Sequence, residues 1–228
     1  MQRTSDARIR YWGIALVLLL LLTDQALKFW VKTHMTIGEE IFLLGNWCRL
    51  YFVENSGIAF GLKPDSVWLK VLLSLLRIVA VAVLCYLAHY VSKSKAPRGI
   101  YFALLGLIAG ALGNVIDGTF YGVLFSSSDT VRFVDGEMLP ALATFLPAEG
   151  GYAPLLQGKV VDMFYFPLFD FYWPSWFPFI GGQHFEFFKP IFNFADALIT
   201  ISVFYAFLFH GKYLWRISTQ PKARINVK

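Results

Sequence analysis

Four stretches of this chain set carboxylates or carboxamides among apolar residues. Asp24 ends a run of leucines, Asn114 and Asp117 lie in "GALGNVIDG", and Asp162 lies in "GKVVDMFYF". Asn193 and Asp196 lie in "KPIFNFADALITISVFYAFLFHG". A charge in hydrocarbon is costly, so such groups face a polar cavity or a partner. Asn114 and Asp117 are three residues apart, as are Asn193 and Asp196. On a helix that spacing puts each pair on one face. Two carboxylates held close in a low-dielectric site do not both ionise easily and tend to share a proton. One of them can then take a proton from water while the other donates to a carbonyl or a leaving amine. Such chemistry needs no metal, no cofactor and no covalent intermediate.

The elements that must carry these groups are membrane helices. Of 228 residues, 57% are hydrophobic and only 15% charged, with mean hydropathy +0.56. Soluble domains carry about 25% charged residues. Four stretches are long enough to span about 30 Å of hydrocarbon: Tyr11–Val31, Val67–Val91, Gly99–Tyr121 and Pro190–Phe209. Arg3, Arg8 and Arg10 precede the first, and Lys93, Lys95 and Arg98 link the second to the third. Lys212, Arg216, Lys222, Arg224 and Lys228 follow the fourth. The excess of basic residues in these segments predicts that both termini and the middle link are cytoplasmic. The net charge of +5 therefore reports topology, and no nucleic-acid partner is expected. The first span is expected to be retained, because no small-x-small cleavage site follows it.

With that topology, Asp24 lies seven residues before the outer end of the first span, or about 10 Å. Asn114 and Asp117 lie seven and four residues before the outer end of the third. Asp196 lies six residues inside the fourth, about 9 Å deep. Three helices thus bring polar groups to one level just below the outer surface. Asp162, flanked by Val161 and Met163 in a strand-like run, is expected to approach the same level. The inner halves of the spans, such as Ile14–Leu22 and Ile201–Phe209, are almost wholly apolar, which opposes a transport path. A serine–lysine peptidase is opposed because Ser56 and Ser74 have no lysine at a suitable depth. The scattered His34, His89, His184 and His210 do not suggest a metal site, and Cys48 and Cys85 lie at different depths.

The outer segments, 32–66 and 122–189, are expected to hold a small sheet. Ile41–Leu44 and Trp47–Val53 read as strands broken at Gly45-Asn46, and Gly158–Phe166 reads as another. Segment 122–189 reads as loop in its "SSSD" and Gly/Pro-containing parts. Its aromatic, proline-rich part, Phe166–Phe179, is expected to lie along the membrane interface, where Trp and Tyr keep a polar edge wet.

The chain resembles lipoprotein signal peptidase, also called signal peptidase II. The matching motifs are "DQALK" (24–28), "ENSGIAFG" (54–61), "GALGNVIDG" (110–118), "VVDMF" (160–164) and "FNFADALI" (192–199), in the family's order. The resemblance implies one membrane domain of four helices acting as an aspartic endopeptidase of the bacterial inner membrane, with no metal. Its substrate would be a diacylglyceryl prolipoprotein, cut just before the lipidated cysteine, and the chain is expected to work as a monomer among membrane lipid. By the same resemblance, Asp162 and Asp196 form the catalytic dyad, and Asn55, Asn114 and Asn193 line the site. Asp24, Lys28 and Asp117 would be mainly architectural, and Gly57 and Gly61 would serve tight turns.

Two departures stand out. Gly118 follows Asp117 where the family often has an arginine that contacts substrate backbone, and the third-helix and "VVDMF" motifs are separated by residues 119–159. Arg77, a guanidinium inside the second span, has two readings. It either snorkels or pairs for stability, or it points into the cavity and takes over the role open at Gly118.

Overall fold

A computed structural model describes residues 2–56, 67–134, 137–187 and 190–219. Its long helices are α1 (Gln2–His34), α2 (Val67–Ser92), α3 (Arg98–Ile116) and α5 (Phe194–Thr219). α3 continues through a π-helical turn, Asp117–Tyr121, into the short α4, Gly122–Leu124. Among the described residues, four helices are long and apolar enough to cross a membrane: Arg8–His34, Val67–Ser92, Arg98–Leu124 and Phe194–Thr219. They correspond to the four expected spans. α2 turns Leu72, Leu76, Val79 and Val83 outward, a surface suited to lipid.

α3 is the central helix and packs against α1, α2 and α5. Between lipid-facing helices there is little hydrophobic drive, so close packing of small residues matters more. Gly110 and Gly113 permit that approach. A Cβ at Gly110 would collide with the Ala195 carbonyl, and one at Gly113 with the Asp24 carboxylate. Absent side chains on α3 therefore make room for the acid on α1 and the first turn of α5.

A four-stranded antiparallel sheet lies at the ends of these helices, in the order β1 (Glu40–Leu44), β2 (Cys48–Asn55), β5 (Val160–Tyr165), β8 (Ile191–Phe192). The β1–β2 turn uses Gly45 at φ +53°, conformational space that glycine enters without steric cost. Alternation along β5 sends Val161 and Met163 into a core with Val31, Met35, Phe52, Tyr121 and Phe125. Asp162 consequently points to the opposite face.

Three expectations need correction. Asp196 is not six residues inside a span. Residues 191–192 are strand, and α5 begins only at Phe194, which places Asp196 in the first helical turn. The carboxylate therefore sits at a helix end, where unsatisfied N–H groups favour negative charge. The long outer segment is not plain loop: β3 (Val131–Val134) and β4 (Glu137–Pro140) form one hairpin. The aromatic stretch enters a second hairpin, in which β6 (Phe169–Tyr172) pairs with β7 (His184–Phe187). The β6–β7 pairing is hard to read from the chain, because the partner strand lies beyond the Pro/Gly-containing stretch 173–183. Gly57 and Gly61 lie outside the described residues.

Candidate active site

Asn193 organises the site. Its Oδ1 accepts from the Asp196 N–H at 2.9 Å, capping α5, and the Asp196 carboxylate reaches back to the Asn193 N–H at 3.4 Å. This reciprocal pair has the logic of a capping box. The Asn193 amide Nδ2 then donates to Asp162 Oδ1 at 2.7 Å and to Asn114 Oδ1 at 3.2 Å. Asn114 in turn donates to Asp196 Oδ1 at 2.8 Å. One continuous chain of carboxamides thus joins the carboxylate of β5 to that of α5.

Asn55 closes the other side. In the β2–β5 register Val53 faces Asp162 and Asn55 faces Val160, so Asn55 is a same-face diagonal neighbour of Asp162. Its Nδ2 donates to Asp162 Oδ2 at 3.2 Å. Asp162 is 4% exposed. Burial first, then the nearby Asp196 charge, pushes its pKa up to about 7, against the opposing hydrogen bonds from Asn193 and Asn55. A carboxyl near half-protonation at neutral pH can serve as acid or base.

Behind this chain lies a fully buried ion cluster. Lys28 Nζ is 3.0 Å from Asp24 Oδ2 and 2.8 Å from Asp117 Oδ2, and it donates to Asn114 Oδ1 at 3.1 Å. The two acids also grip backbone. Asp24 accepts from the Ala195 N–H at 2.9 Å, and Asp117 accepts from the Val161 N–H at 3.4 Å. Ala195 and Val161 are the residues immediately before Asp196 and Asp162. Each buried acid therefore anchors the main chain next to one carboxylate of the pair, and Lys28 ties the anchors together.

Sequence reasoning missed three supporting groups. Gln25 donates to Asp117 at 3.0 Å and to Asp24 at 3.1 Å, and receives the Tyr121 hydroxyl at 3.2 Å. Its place inside "DQALK" was the available signal. Glu54, beside Asn55, forms a buried ion pair with Lys32, and both contact Ser128. Lys159 reaches Glu54 at 3.1 Å and Asp129 at 2.6 Å. This clamp ties the 122–159 segment to α1 and β2, and nothing in the spacing of these residues announces it.

Arg77 lies beside Gly118. A Cβ at Gly118 would lie 3.5 Å from Arg77 Nη1 and 3.4 Å from Ser74 Oγ. Arg77 is half-buried and makes no hydrogen bond or ion pair with any described residue. Every predicted site residue within the described chain thus converges on the sheet-bearing ends of α1, α3 and α5, with Arg77 at the rim.

The fold is similar to two solved structures described as bacterial membrane enzymes. One aligns at a TM-score of 0.53 and 22% identity, covering 86% of this chain and 90% of that one. The other aligns at 0.50 and 21%, covering 95% and 94%. Fold and site together define a multi-pass membrane protein with a polar cluster beneath a small antiparallel sheet. The family model described as signal peptidase (SPase) II matches residues 16–211. A lipoprotein signal peptidase of Porphyromonas gingivalis is 45% identical over 190 residues, 83% of this chain and 78% of that protein. One from Amoebophilus asiaticus is 30% identical over 197 residues, 85% and 74% of the two chains. The chain belongs to the signal peptidase II family of lipoprotein-processing peptidases.

Proposed function

We propose that this protein is an aspartic endopeptidase that cuts diacylglyceryl prolipoproteins just before the lipidated cysteine, at the outer face of a bacterial inner membrane. The observation that carries the mechanism is the carboxamide chain linking Asp162 to Asp196 through Asn193 and Asn114. The protonated member of the pair donates to the scissile carbonyl oxygen, while the ionised member takes a proton from the attacking water. The resulting tetrahedral species collapses when a proton passes to the leaving amine. No acyl-enzyme forms.

Substrate choice is tested with purified protein in micelles. The expected product begins with the lipidated cysteine, and the unlipidated precursor stays intact. Equal cleavage of both precursors would remove the lipid requirement.

The aromatic hairpin supports approach from the bilayer. Trp176 and Phe179 are strongly exposed, while the Trp173 ring packs at a tilt against Phe177 with centroids 4.7 Å apart. Exposed Trp at a polar–apolar boundary suits the headgroup zone. Depth-dependent fluorescence quenching in bilayers should place Trp173 and Trp176 at headgroup depth. Full quenching by an aqueous quencher at both positions would move the hairpin away from the membrane.

Arg77 is the proposed orienting group for substrate backbone. Its free guanidinium beside Gly118 can offer a planar fork of donors to peptide carbonyls, which a lysine does less well. Arg77→Lys should lower cleavage about tenfold, the loss of one charge-assisted hydrogen bond, with melting temperature in detergent near wild type. Unchanged activity, or a parallel fall in activity and stability, would make Arg77 structural.

A further inference from the structure

At the opposite ends of the helices from the carboxylates, a cavity of about 120 Å³ opens between α1, α3 and the α2–α3 link. Arg10 comes from α1, Arg98 and Tyr101 come from α3, and Ser92 and Ser94 come from the end of α2 and the link. Three candidate spans terminate here, at Arg8, Ser92 and Arg98. The cavity therefore lies at the hydrocarbon boundary, where lipid phosphates lie. It belongs to no part of the peptidase site.

Three of the donors that line it, Arg10, Arg98 and Tyr101, lack acceptors. Neither Arg10 nor Arg98 makes a hydrogen bond or ion pair with any described residue, and the Tyr101 hydroxyl has no described hydrogen-bond partner. The serines are partly engaged: Ser92 donates to the His89 carbonyl at 2.8 Å, and Ser94 donates to the Val91 carbonyl at 2.9 Å. Ser94 Oγ also accepts from the Ala96 N–H at 3.2 Å. Two guanidiniums sharing a small cavity repel unless an anion lies between them. Guanidinium forks match phosphate oxygens in bidentate geometry. Basic pockets between membrane helices at the interface are suited to lipid headgroups.

We infer that Arg10, Arg98 and Tyr101 form a site for the phosphate of an anionic phospholipid. The inference is independent of the catalytic assignment, since the site lies at the far ends of the helices. The lipid's acyl chains would run along the apolar faces of the helices while its phosphate bridges α1 and α3.

The test is native mass spectrometry of the full chain released from micelles containing dioleoylphosphatidylglycerol, with melting curves recorded in parallel. Wild type should retain one such lipid and melt higher with it than with dioleoylphosphatidylethanolamine. Arg10→Gln/Arg98→Gln should retain it about tenfold less, the combined loss of two basic contacts at the membrane surface. Peptidase activity of that variant reports that it is folded. Lys93→Gln/Lys95→Gln, on exposed residues outside the cavity, should retain lipid as wild type does. Equal loss in both double variants would reduce the effect to a diffuse basic surface and overturn the site. Stabilisation by inorganic phosphate matching that by the lipid would assign the cavity to a soluble anion and overturn the lipid. Undiminished retention by the Arg10→Gln/Arg98→Gln protein would also overturn it.

Discussion

Asp162→Asn and Asp196→Asn proteins should each fold, insert and leave diacylglyceryl prolipoprotein uncut, with rates down by about 10²–10⁴-fold or more. Asparagine keeps the shape of the side chain but can neither take a proton from water nor donate one as an acid. At Asp162 the change also removes a buried charge beside Asp196. It sacrifices one of the two acceptors now used by Asn55 and Asn193. These effects oppose one another, so the melting temperature should stay near wild type at neutral pH. The pH dependence has a defined sign. With its pKa pushed up to about 7 by burial and by Asp196, Asp162 loses the shared proton as pH rises. Cleavage should therefore fall through and above about pH 7. The folded-state pKa lies above the usual carboxyl value of about 4, so the protonated carboxyl contributes stability that is fully present below about pH 4. That stability is lost as pH rises through about 7. The Asp162→Asn protein lacks this titration, and its melting temperature relative to wild type should increase between about pH 5 and pH 8. Substantial cleavage by either purified variant would sink the dyad assignment.

The spans and the level of the polar groups were legible because hydrocarbon imposes a strong rule. Twenty apolar residues and a flanking basic cluster have few other meanings. Asp162 was legible for a related reason: an acid between Val161 and Met163 has no comfortable place in a solvated loop. The start of α5 was misread because "KPIFNF" is as apolar as the helix after it. Hydropathy does not distinguish a short edge strand from a helical turn. Asn193, three residues before Asp196, fits a shared helix face and a helix cap equally well, and only the β5–β8 pairing decides between them. The Glu54–Lys32–Ser128 clamp joins residues far apart in the chain. Its members carry no periodic pattern, so its buried ion pair could be seen only once the strands and helices were in place. Arg77 shows the opposite case. A lone guanidinium in a span signals a function or a partner, and the structure resolves its neighbour as Gly118.

Lys28→Met should be among the most destabilising single substitutions in the chain. Lys28, Asp24 and Asp117 are all fully buried, and the lysine is the only cation paired with either acid among the described residues. Methionine fills similar space but leaves two carboxylates without a counter-charge, and breaking a buried ion pair in this way costs about 3–5 kcal/mol. For a chain of this size, the melting temperature should fall by about 10 °C. The loss should not stop at stability. Asp24 and Asp117 hold the N–H groups of Ala195 and Val161, so repulsion between the acids shifts the backbone beside both Asp196 and Asp162. Cleavage should fall even below the melting transition. A second substitution separates this account from a simple packing defect. Lys28→Met/Asp117→Asn retains only one buried carboxylate, so it should recover part of the lost melting temperature. Residues in one network are expected to couple in this way. A packing defect predicts additive losses instead. If Lys28→Met melts like wild type, or the double variant falls by the sum of the single losses, the cluster does not set the register of the two aspartates. Their placement must then come from the Asn193 cap and the Asn55 contact alone.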